Sequence, residues 1–203
     1  MQKDKVLLYG ANGYTGTLIA RYAKEYNISP ILAGRNEKVV STIANQLNFS
    51  YRIFPLDTSA SIQQQLQDVK LVIHAAGPFD RTAKQMVEAC IATNTHYIDI
   101  NGDISVFEMI KTYDATAKQA GVMLMPGAGF DVIPTDCIAL DLKQKLPDAT
   151  HLQLAFIPTN GQISHGTATT MATRIGEDAV VRINGKFVRK PLGFKGMWID
   201  ANG

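Results

Sequence analysis

The 203-residue sequence contains only two cysteines, Cys90 and Cys137, and neither has a second cysteine or a histidine at metal-ligand spacing. Both lie in helix-like patterns, so we predict reduced, buried thiols and a cytoplasmic protein. No metal site is predicted, because ligand spacing is also absent around the histidines, which are His74, His96, His151 and His165.

Long apolar runs and clusters of basic residues are also missing. No run approaches the roughly 18 residues of a membrane span, and the apolar stretch near the start is too short for a signal peptide. The net charge is +2, and Lys and Arg are dispersed among Asp and Glu, which makes nucleic acid a poor candidate partner. With 46% hydrophobic and 19% charged residues, the composition is that of a globular protein with a buried core.

Short apolar runs alternate with amphipathic stretches over the first 126 or so residues. Strands are predicted at 5–10, 30–35, 51–56, 70–76, 96–100 and 122–126. Helices are predicted at 14–26, 37–47, 59–68, 81–93 and 106–120. Strands that are nearly all apolar and alternate with helices indicate a parallel sheet covered on both faces. We therefore predict a doubly wound α/β domain over residues 1–126.

The pattern changes in the glycine-rich segment GAGFDVIP (127–134). The elements predicted after it are a helix ending near Leu146, a strand at 151–158, a helix at 166–176 and a hairpin around Asn184-Gly185. Together they are typical of the start of an α+β second domain, residues 127–203, for substrate binding or dimerisation. Because it has few strands, we expect either a truncated domain or a sheet completed by a partner, as in a homodimer.

Three glycines with the spacing G-x-x-G-x-x-G lie between the first strand and the first helix, in YGANGYTG (9–16). Glycine there permits a tight turn, close approach of the backbone to a pyrophosphate and close helix–strand packing. A tight turn without a ligand is the alternative, and Asn12 or Thr15 could cap the helix instead of binding phosphate. The place of the loop in the first βαβ unit favours dinucleotide binding. The predicted contacts are Gly10, Asn12, Gly13, Tyr14, Thr15 and Gly16.

The second strand ends in ILAGRN (31–36), with Gly34 and Arg35 where many NAD sites have a carboxylate. Such a carboxylate accepts a hydrogen bond from the ribose 2′-hydroxyl and would repel a 2′-phosphate. The guanidinium of Arg35 can instead hold a phosphate through two hydrogen bonds. A solvated surface arginine is the alternative. We predict that NADP is bound in preference to NAD.

Two more strand ends are expected at the same site, because ligands bind outside the carboxyl ends of the strands in open α/β sheets. Asp57 could accept a hydrogen bond from the adenine amino group or cap the following helix. In HAAGPF (74–79), the small residues Ala76, Gly77 and Pro78 would let the backbone lie close to the nicotinamide ribose. The alternative there is a simple turn.

Five segments, in this order over residues 9–136, resemble the NADP-binding part of saccharopine dehydrogenase-like oxidoreductases. They are GANGYTG, LAGRN, AAGPF, VEACIATNTHYIDINGD and MPGAGFDVIPTD. HGTATTMATRIG and VVRINGKFVRKPLGF resemble the opening of that family's second domain. The resemblance implies a Rossmann fold and NAD(P)-dependent oxidoreductase activity. The cofactor contacts that it implies are Gly10, Gly13, Gly16, Arg35 and Gly77-Pro78-Phe79.

The resemblance implies no particular substrate, because such relatives include lysine-pathway enzymes and lipid enoyl reductases. The sequence also departs from the family in DINGD (99–103), where Asn101 and Asp103 stand at positions that are Thr and Glu in many relatives.

No catalytic residue is assigned. Short-chain dehydrogenases need a tyrosine followed four residues later by a lysine, and none of the seven tyrosines has this spacing. The candidates at the carboxyl edge of the sheet are Tyr97, Asp99, Asp103, Asp131 and His165. We favour structural roles for all five: packing and turn bonding for Tyr97 and Asp99, a cap for Asp103, a turn or cap for Asp131, and helix entry for His165.

The sequence thus predicts an NADP-dependent oxidoreductase acting on an unidentified small-molecule substrate. Hydride transfer can depend mainly on cofactor positioning, so the lack of an acid or base does not exclude an enzyme. The alternative is a sensor or regulatory protein that binds NADP without turnover.

Overall fold

A computed structural model describes residues 3–155, 165–173, 175–198 and 200 of the chain. The chain divides into two compact units, Met1–Leu152 and Gln153–Gly203. The first unit contains six strands, seven α-helices and a short 3-10 helix (Ala23–Tyr26) within its described residues. Its strands are β1 (Lys5–Tyr9), β2 (Ile31–Gly34), β3 (Tyr51–Ile53), β4 (Val69–His74), β5 (His96–Asp99) and β6 (Leu124–Met125). Its helices are α1 (Tyr14–Tyr22), α2 (Glu37–Leu47), α3 (Ser59–Gln65), α4 (Phe79–Ala92), α5 (Ile104–Lys111), α6 (Asp114–Ala120) and α7 (Ile133–Lys145).

The six strands form one parallel sheet in the order β3-β2-β1-β4-β5-β6. β1 and β4 are neighbours in the middle, with Tyr9 paired to His74. The strand order reverses at this pair, and ligands of open α/β sheets bind in the crevice outside the carboxyl ends at such a point. The prediction of a Rossmann-type doubly wound parallel sheet is confirmed.

Each face of the sheet buries its own apolar cluster. Alternation along β1 sends Leu7 and Tyr9 to one face and Leu8 to the other. Leu7 packs in a cluster with residues of α3, α4 and α5, and Leu8 packs with residues of α1 and α2. Full burial of each large apolar side chain contributes about 1.5–3 kcal/mol relative to exposure, so the two clusters hold the helices on the sheet.

The helix predicted at 106–120 is two helices, α5 and α6. Tyr113 separates them with φ −89° and ψ 0°, outside the helical range. Its hydroxyl donates to Oε1 of Glu88 on α4 at 2.7 Å. Ile110 of α5 and Ala117 of α6 are both buried.

The second unit contains α8 (His165–Thr173) and an antiparallel hairpin of β7 (Ala179–Ile183) and β8 (Lys186–Lys190). Asn184 and Gly185 have φ of 50° and 78°, as a two-residue hairpin turn requires, so the predicted hairpin is confirmed. The strand predicted at 151–158 is wrong for residues 151–155, which form no strand, and its remaining residues lie outside the described part of the chain.

α7 belongs to the first compact unit, although the sequence pattern places it in a second domain of residues 127–203. None of the residues of α7 is buried. The prediction that Cys137 is buried is therefore wrong, because this thiol lies on the exposed α7. Cys90 on α4 is buried as predicted, and both thiols are free. No helix in the described parts of the chain is both long and apolar enough to cross a membrane.

Candidate functional site

The glycine loop between β1 and α1 is packed so tightly that side chains are excluded at two positions. Gly10 has φ +88°, and a Cβ there would lie 2.7 Å from the carbonyl carbon of Ala75, just after β4. A Cβ at Gly16 would overlap the carbonyl oxygen of Gly10 and lie 2.8 Å from its carbonyl carbon. The loop is thus held directly against α1 and the end of β4, at the switch point of the sheet.

The start of α1 is open to an incoming anion. Gly13 is the N-cap residue, and no side chain caps the helix. The capping alternative for Asn12 and Thr15 is therefore not adopted. The first backbone N–H groups of a helix have no intrahelical acceptor. Those of Tyr14, Thr15 and Gly16 therefore remain available to an anion, at the positive end of the helix dipole.

Thr17, in the first turn of α1, contacts the glycine loop and is not among the residues predicted from the sequence. Its hydroxyl donates to the carbonyl oxygen of Ala11 at 3.0 Å and ties the loop to the first turn of α1. A threonine one position beyond the third glycine was the signal available in the sequence.

Asn12 connects the glycine loop to the end of β2. A Cβ at Gly34 would lie 2.8 Å from Oδ1 of Asn12 and 3.0 Å from Cγ2 of Val40. The missing side chain at Gly34 therefore makes room for the Asn12 amide. A carboxylate-bearing residue at position 34 would displace Asn12 or Val40.

Arg35 is exposed beside this contact, and the described residues offer it no hydrogen bond or ion pair. Its neighbour Asn36 caps α2, accepting from the backbone N–H of Val39 at 3.2 Å. Arg35 acts on the buried Tyr9: burial raises the pKa of Tyr9 to about 12, the charge of Arg35 opposes this rise, and that of Asp57 adds to it. Arg35 and Asp57 thus lie close enough to one hydroxyl for both charges to affect it.

Asp57 is exposed after β3 and does not cap α3. The capping alternative is wrong, because Thr58 is the N-cap and accepts from the backbone N–H of Ser61 at 3.2 Å. The carboxylate of Asp57 is left facing solvent at the same edge of the sheet as Arg35.

The segment after β4 lies against the glycine loop. The backbone N–H of Ala75 donates to the carbonyl oxygen of Tyr9 at 2.8 Å, and the hydroxyl of Thr82 donates to that of Ala76 at 2.8 Å. Gly77 and Pro78, joined by a cis peptide, are exposed, and a Cβ at Gly77 would come no closer than 3.6 Å to any neighbouring atom. The backbone here is fixed in position and open to solvent.

Tyr97 and Asp99 are buried and bonded to each other, as their structural interpretation predicts. The Tyr97 hydroxyl donates to Oδ2 of Asp99 at 2.7 Å, while Oδ1 accepts from the backbone N–H groups of Asn101 and Gly127 at 3.0 and 2.9 Å. Asn101 adds its side-chain amide at 2.6 Å. Burial, and then Asp99, raise the pKa of Tyr97 well above its ordinary value. This arrangement ties the end of β5 to the turn after β6.

The remaining catalytic candidates are Asp103, Asp131 and His165. Asp103 caps α5, accepting from the backbone N–H of Ser105 at 2.9 Å, as predicted. Asp131 is exposed near Gly102, and the N-cap of α7 is Val132 instead. His165 begins α8, but its side chain lies outside what the structure describes. The described residues contain no cluster of three or more His, Cys, Asp or Glu able to hold a metal ion.

Similar sequences and similar solved structures are found among known proteins. A putative trans-acting enoyl reductase of Mycobacterium tuberculosis is 32% identical over 64% of this chain and 33% of its own length. A probable mitochondrial saccharopine dehydrogenase-like oxidoreductase of Arabidopsis thaliana is 29% identical over 66% of this chain and 33% of its own. Saccharopine dehydrogenase (L-Glu forming) of Saccharomyces cerevisiae superposes with a TM-score of 0.61 at 17% identity, over 70% of this chain and 31% of that one.

The similarity to the solved structure is at the level of the fold. The chain spans between a third and a half of the length of the curated relatives that it matches. The family of saccharopine dehydrogenase NADP-binding domains matches residues 6–125, from β1 to β6. This match covers more than half of the chain, including the glycine loop, Arg35, Asp57 and the segment after β4. The chain therefore belongs to the saccharopine dehydrogenase NADP-binding domain family.

Proposed function

We propose that the protein is an NADP-dependent oxidoreductase that transfers a hydride between the nicotinamide and a small-molecule substrate. The observation that carries the preference for NADP is Arg35, an exposed guanidinium without an ion-pair partner among the described residues. It follows Gly34, where a carboxylate-bearing residue would displace Asn12 or Val40. The names of the relatives, an enoyl reductase and a saccharopine dehydrogenase-like oxidoreductase, support redox chemistry.

The chemistry of the donors fits a phosphorylated dinucleotide. Arg35 can hold the 2′-phosphate through two parallel N–H bonds, which are stronger than neutral hydrogen bonds. The uncapped start of α1 offers backbone N–H groups to the pyrophosphate, and the tight packing at Gly10 and Gly16 holds this turn against the end of β4. Asp57 would accept from the adenine amino group. The proposed cofactor contacts are Gly10, Asn12, Gly13, Tyr14, Thr15, Gly16, Arg35, Asp57, Ala76, Gly77 and Pro78.

In this proposal the described residues bind and orient the cofactor, and none is assigned to proton transfer. Bound NADPH would supply the hydride. Orientation alone can contribute a large part of the rate of such a step. Tyr97 and Asp99 are unsuited to proton transfer because both are buried and their hydrogen bonds are used within the protein.

Replacement of Arg35 with aspartate tests the cofactor preference. We expect Arg35→Asp to weaken NADPH binding at least tenfold and to spare NADH, because a charge-assisted bond worth about 1.5–3 kcal/mol is lost. Isothermal titration with both cofactors measures the effect. Arg21→Asp is a matched control, because it makes the same charge change on an exposed side chain near the end of α1 that is remote from the glycine loop.

Equal losses for both cofactors would return Arg35 to the role of a surface residue. Absence of NADPH binding by the unaltered chain would overturn the proposed function itself. Stoichiometric binding without NADPH oxidation across carbonyl, imine and enoyl compounds would instead favour a sensor.

We also propose that residues 127–203 serve in substrate binding or dimerisation, and mass measurement in solution tests the homodimer. A cytoplasmic location is proposed as well, whereas the relative from Arabidopsis is named as mitochondrial.

A further inference from the structure

His74 is a fully buried histidine at the end of β4, two residues before the proposed nicotinamide contact at Ala76. Its ring lies among three aromatic rings, with centroids 5.7 Å from Tyr9, 5.4 Å from Phe79 and 6.0 Å from Tyr97. Packing of this kind would suit an apolar side chain equally well. The polar atoms of His74 therefore need a separate explanation.

One ring nitrogen of His74 is bonded and the other is not. Nε2 lies 3.0 Å from the hydroxyl of Thr82, on the first turn of α4. Nδ1 is buried and has no hydrogen-bond partner among the described residues. A buried polar atom without a partner is unfavourable for folding, so packing alone would disfavour histidine here.

The hydrogen bonds of Thr82 determine which tautomer is present. Its hydroxyl has a single proton, which it donates to the carbonyl oxygen of Ala76 at 2.8 Å. The carbonyl oxygen of Pro78 is a second acceptor for the same proton, at 3.1 Å. The hydroxyl oxygen must then accept from His74, so Nε2 carries the hydrogen and Nδ1 is the bare acceptor. Burial lowers the pKa of His74 to about 3, which keeps the ring neutral at any ordinary pH.

The result is a short chain of hydrogen bonds from β4 to the segment that follows it. His74 orients the Thr82 hydroxyl, and Thr82 holds the carbonyl groups on both sides of Gly77. Gly77 and Pro78 are exposed, and the Pro78 carbonyl oxygen also accepts from the backbone N–H of Arg81 at 3.2 Å. The Thr82 hydroxyl is the side-chain group that holds the backbone on both sides of Gly77.

We propose that His74 and Thr82 are positioning residues that fix the 76–78 backbone for the nicotinamide half of the dinucleotide. The inference rests on the proposed function, because it takes residues 76–78 as the nicotinamide-side contact. Neither residue touches the reacting atoms. Their loss should affect the nicotinamide half and leave the adenine half, which lies at Arg35 and Asp57, unchanged.

The test uses two probes, NADPH and adenosine 2′,5′-bisphosphate, which contains only the adenine half with its 2′-phosphate. The main variant combines His74→Leu with Thr82→Val. Removal of both side-chain partners together removes the bare Nδ1 and leaves no unpaired polar atom on either side chain. The Ala76 carbonyl oxygen loses its donor but is only half-buried, so the thermal unfolding midpoint should stay close to that of the unaltered chain. Thr82→Ser keeps the hydroxyl. Thr42→Val makes the matched change at an exposed position of α2, where the hydroxyl donates to the carbonyl oxygen of Lys38 in the preceding turn.

We expect the double variant to bind NADPH about three- to tenfold more weakly, because this is the effect of losing one or two neutral hydrogen bonds. Its affinity for the bisphosphate should be unchanged. The enhanced fluorescence of bound NADPH, which reports restriction of the nicotinamide, should fall as well. Thr82→Ser should retain both properties, and Thr42→Val should match the unaltered chain.

Unchanged affinity of the double variant for NADPH, or equal weakening of both probes, would overturn the positioning role and leave the proposed function standing. Failure of the unaltered chain to bind either probe would overturn the proposed function, and this inference with it. If the double variant does not fold, comparison of Thr82→Ser with Thr82→Val in the same titrations decides between the outcomes.

Discussion

Gly34 and Arg35 illustrate how much neighbouring residues can differ in what the sequence reveals. Arg35 could be identified from the sequence, because a cation at the end of the second strand has a clear chemical meaning. The reason for Gly34 could not, because it depends on Asn12, which is distant in sequence but would lie 2.8 Å from a Cβ at position 34. The histidine at position 74 was likewise visible, whereas its bond to Thr82 required the packing of α4 on β4.

Gly16 gives a stability prediction at this scale. Gly16→Ala should lower the free energy of unfolding by about 1–3 kcal/mol, because the added methyl would overlap the Gly10 carbonyl. This strain outweighs the roughly 0.5–1 kcal/mol that alanine contributes in a helix. Urea unfolding measures the change, with Gly102→Ala as the control, where the nearest atom to a new Cβ is 3.6 Å away. Equal stability of the two variants would contradict the tight packing of the loop.

At the scale of elements, an ion cluster ties strands and a helix together beside the amino ends of the strands. Nη2 of Arg52 on β3 contacts both carboxylate oxygens of Asp68 at 2.9 and 2.8 Å, and Nη1 donates to the carbonyl oxygen of Gln65 on α3. Nζ of Lys5 on β1 lies 2.8 Å from Asp68. Arg52 and Asp68 are each only 22% exposed, so water screens their interaction weakly.

Asp68→Asn should destabilise the first unit by about 1–3 kcal/mol at pH 7. The hydrogen bond from Arg52, opposed by partial burial and supported by Lys5, holds the pKa of Asp68 well below its usual range. The stabilisation is therefore present above the unfolded-state pKa of about 4 and is lost as pH falls below it. Urea unfolding at pH 7 and pH 3 should show the difference between the two proteins shrinking in acid.

Asp114→Asn is the control for this prediction, because it breaks an exposed pair with Lys118 and should change stability by less than about 0.5 kcal/mol. NADPH affinity should be the same in both variants, since neither position is at the carboxyl edge of the sheet. A constant gap between Asp68→Asn and the unaltered chain at both pH values would argue against the ion cluster.

Local periodicity predicted most elements of the first unit to within a few residues, because the alternation of buried and exposed positions in each strand or helix follows from that element's own residues. It did not predict the break between α5 and α6. That break depends on the contact of Tyr113 with Glu88, which belongs to another helix. The strand predicted at 151–158 failed over residues 151–155 for the related reason that an alternating run forms a strand only where a partner strand is available.

At the scale of the whole molecule, α7 is the element whose surroundings the sequence predicted least well. Its apolar residues Ile138 and Leu140 are 55% and 60% exposed. The pattern of the helix suggested burial of Cys137, but burial depends on what packs against a helix. Cys90 on α4 has the opposite environment, with none of its surface exposed.

The two thiols should therefore react very differently with a thiol reagent. We expect one equivalent per native chain to be labelled rapidly, at Cys137, and the second only on unfolding, because burial raises the pKa of Cys90 and blocks access. Cys137→Ser should abolish the rapid phase, and Cys90→Ser should leave it unchanged. Rapid labelling of both thiols, or of neither, would contradict the exposure of α7.

The sequence by itself determined the alternation of strands and helices, the glycine loop, the cation after β2 and the family, because these depend on residue type and spacing along the chain. Only the tertiary structure decided which residues share an environment. It placed Asn12 against Gly34, identified Thr58 as the cap of α3, paired His74 with Thr82 and left Cys137 exposed. The contacts of Asn12 with Gly34 and of His74 with Thr82 join residues that are distant in sequence or lie on different elements, and their distances follow from how the helices and loops pack on the sheet.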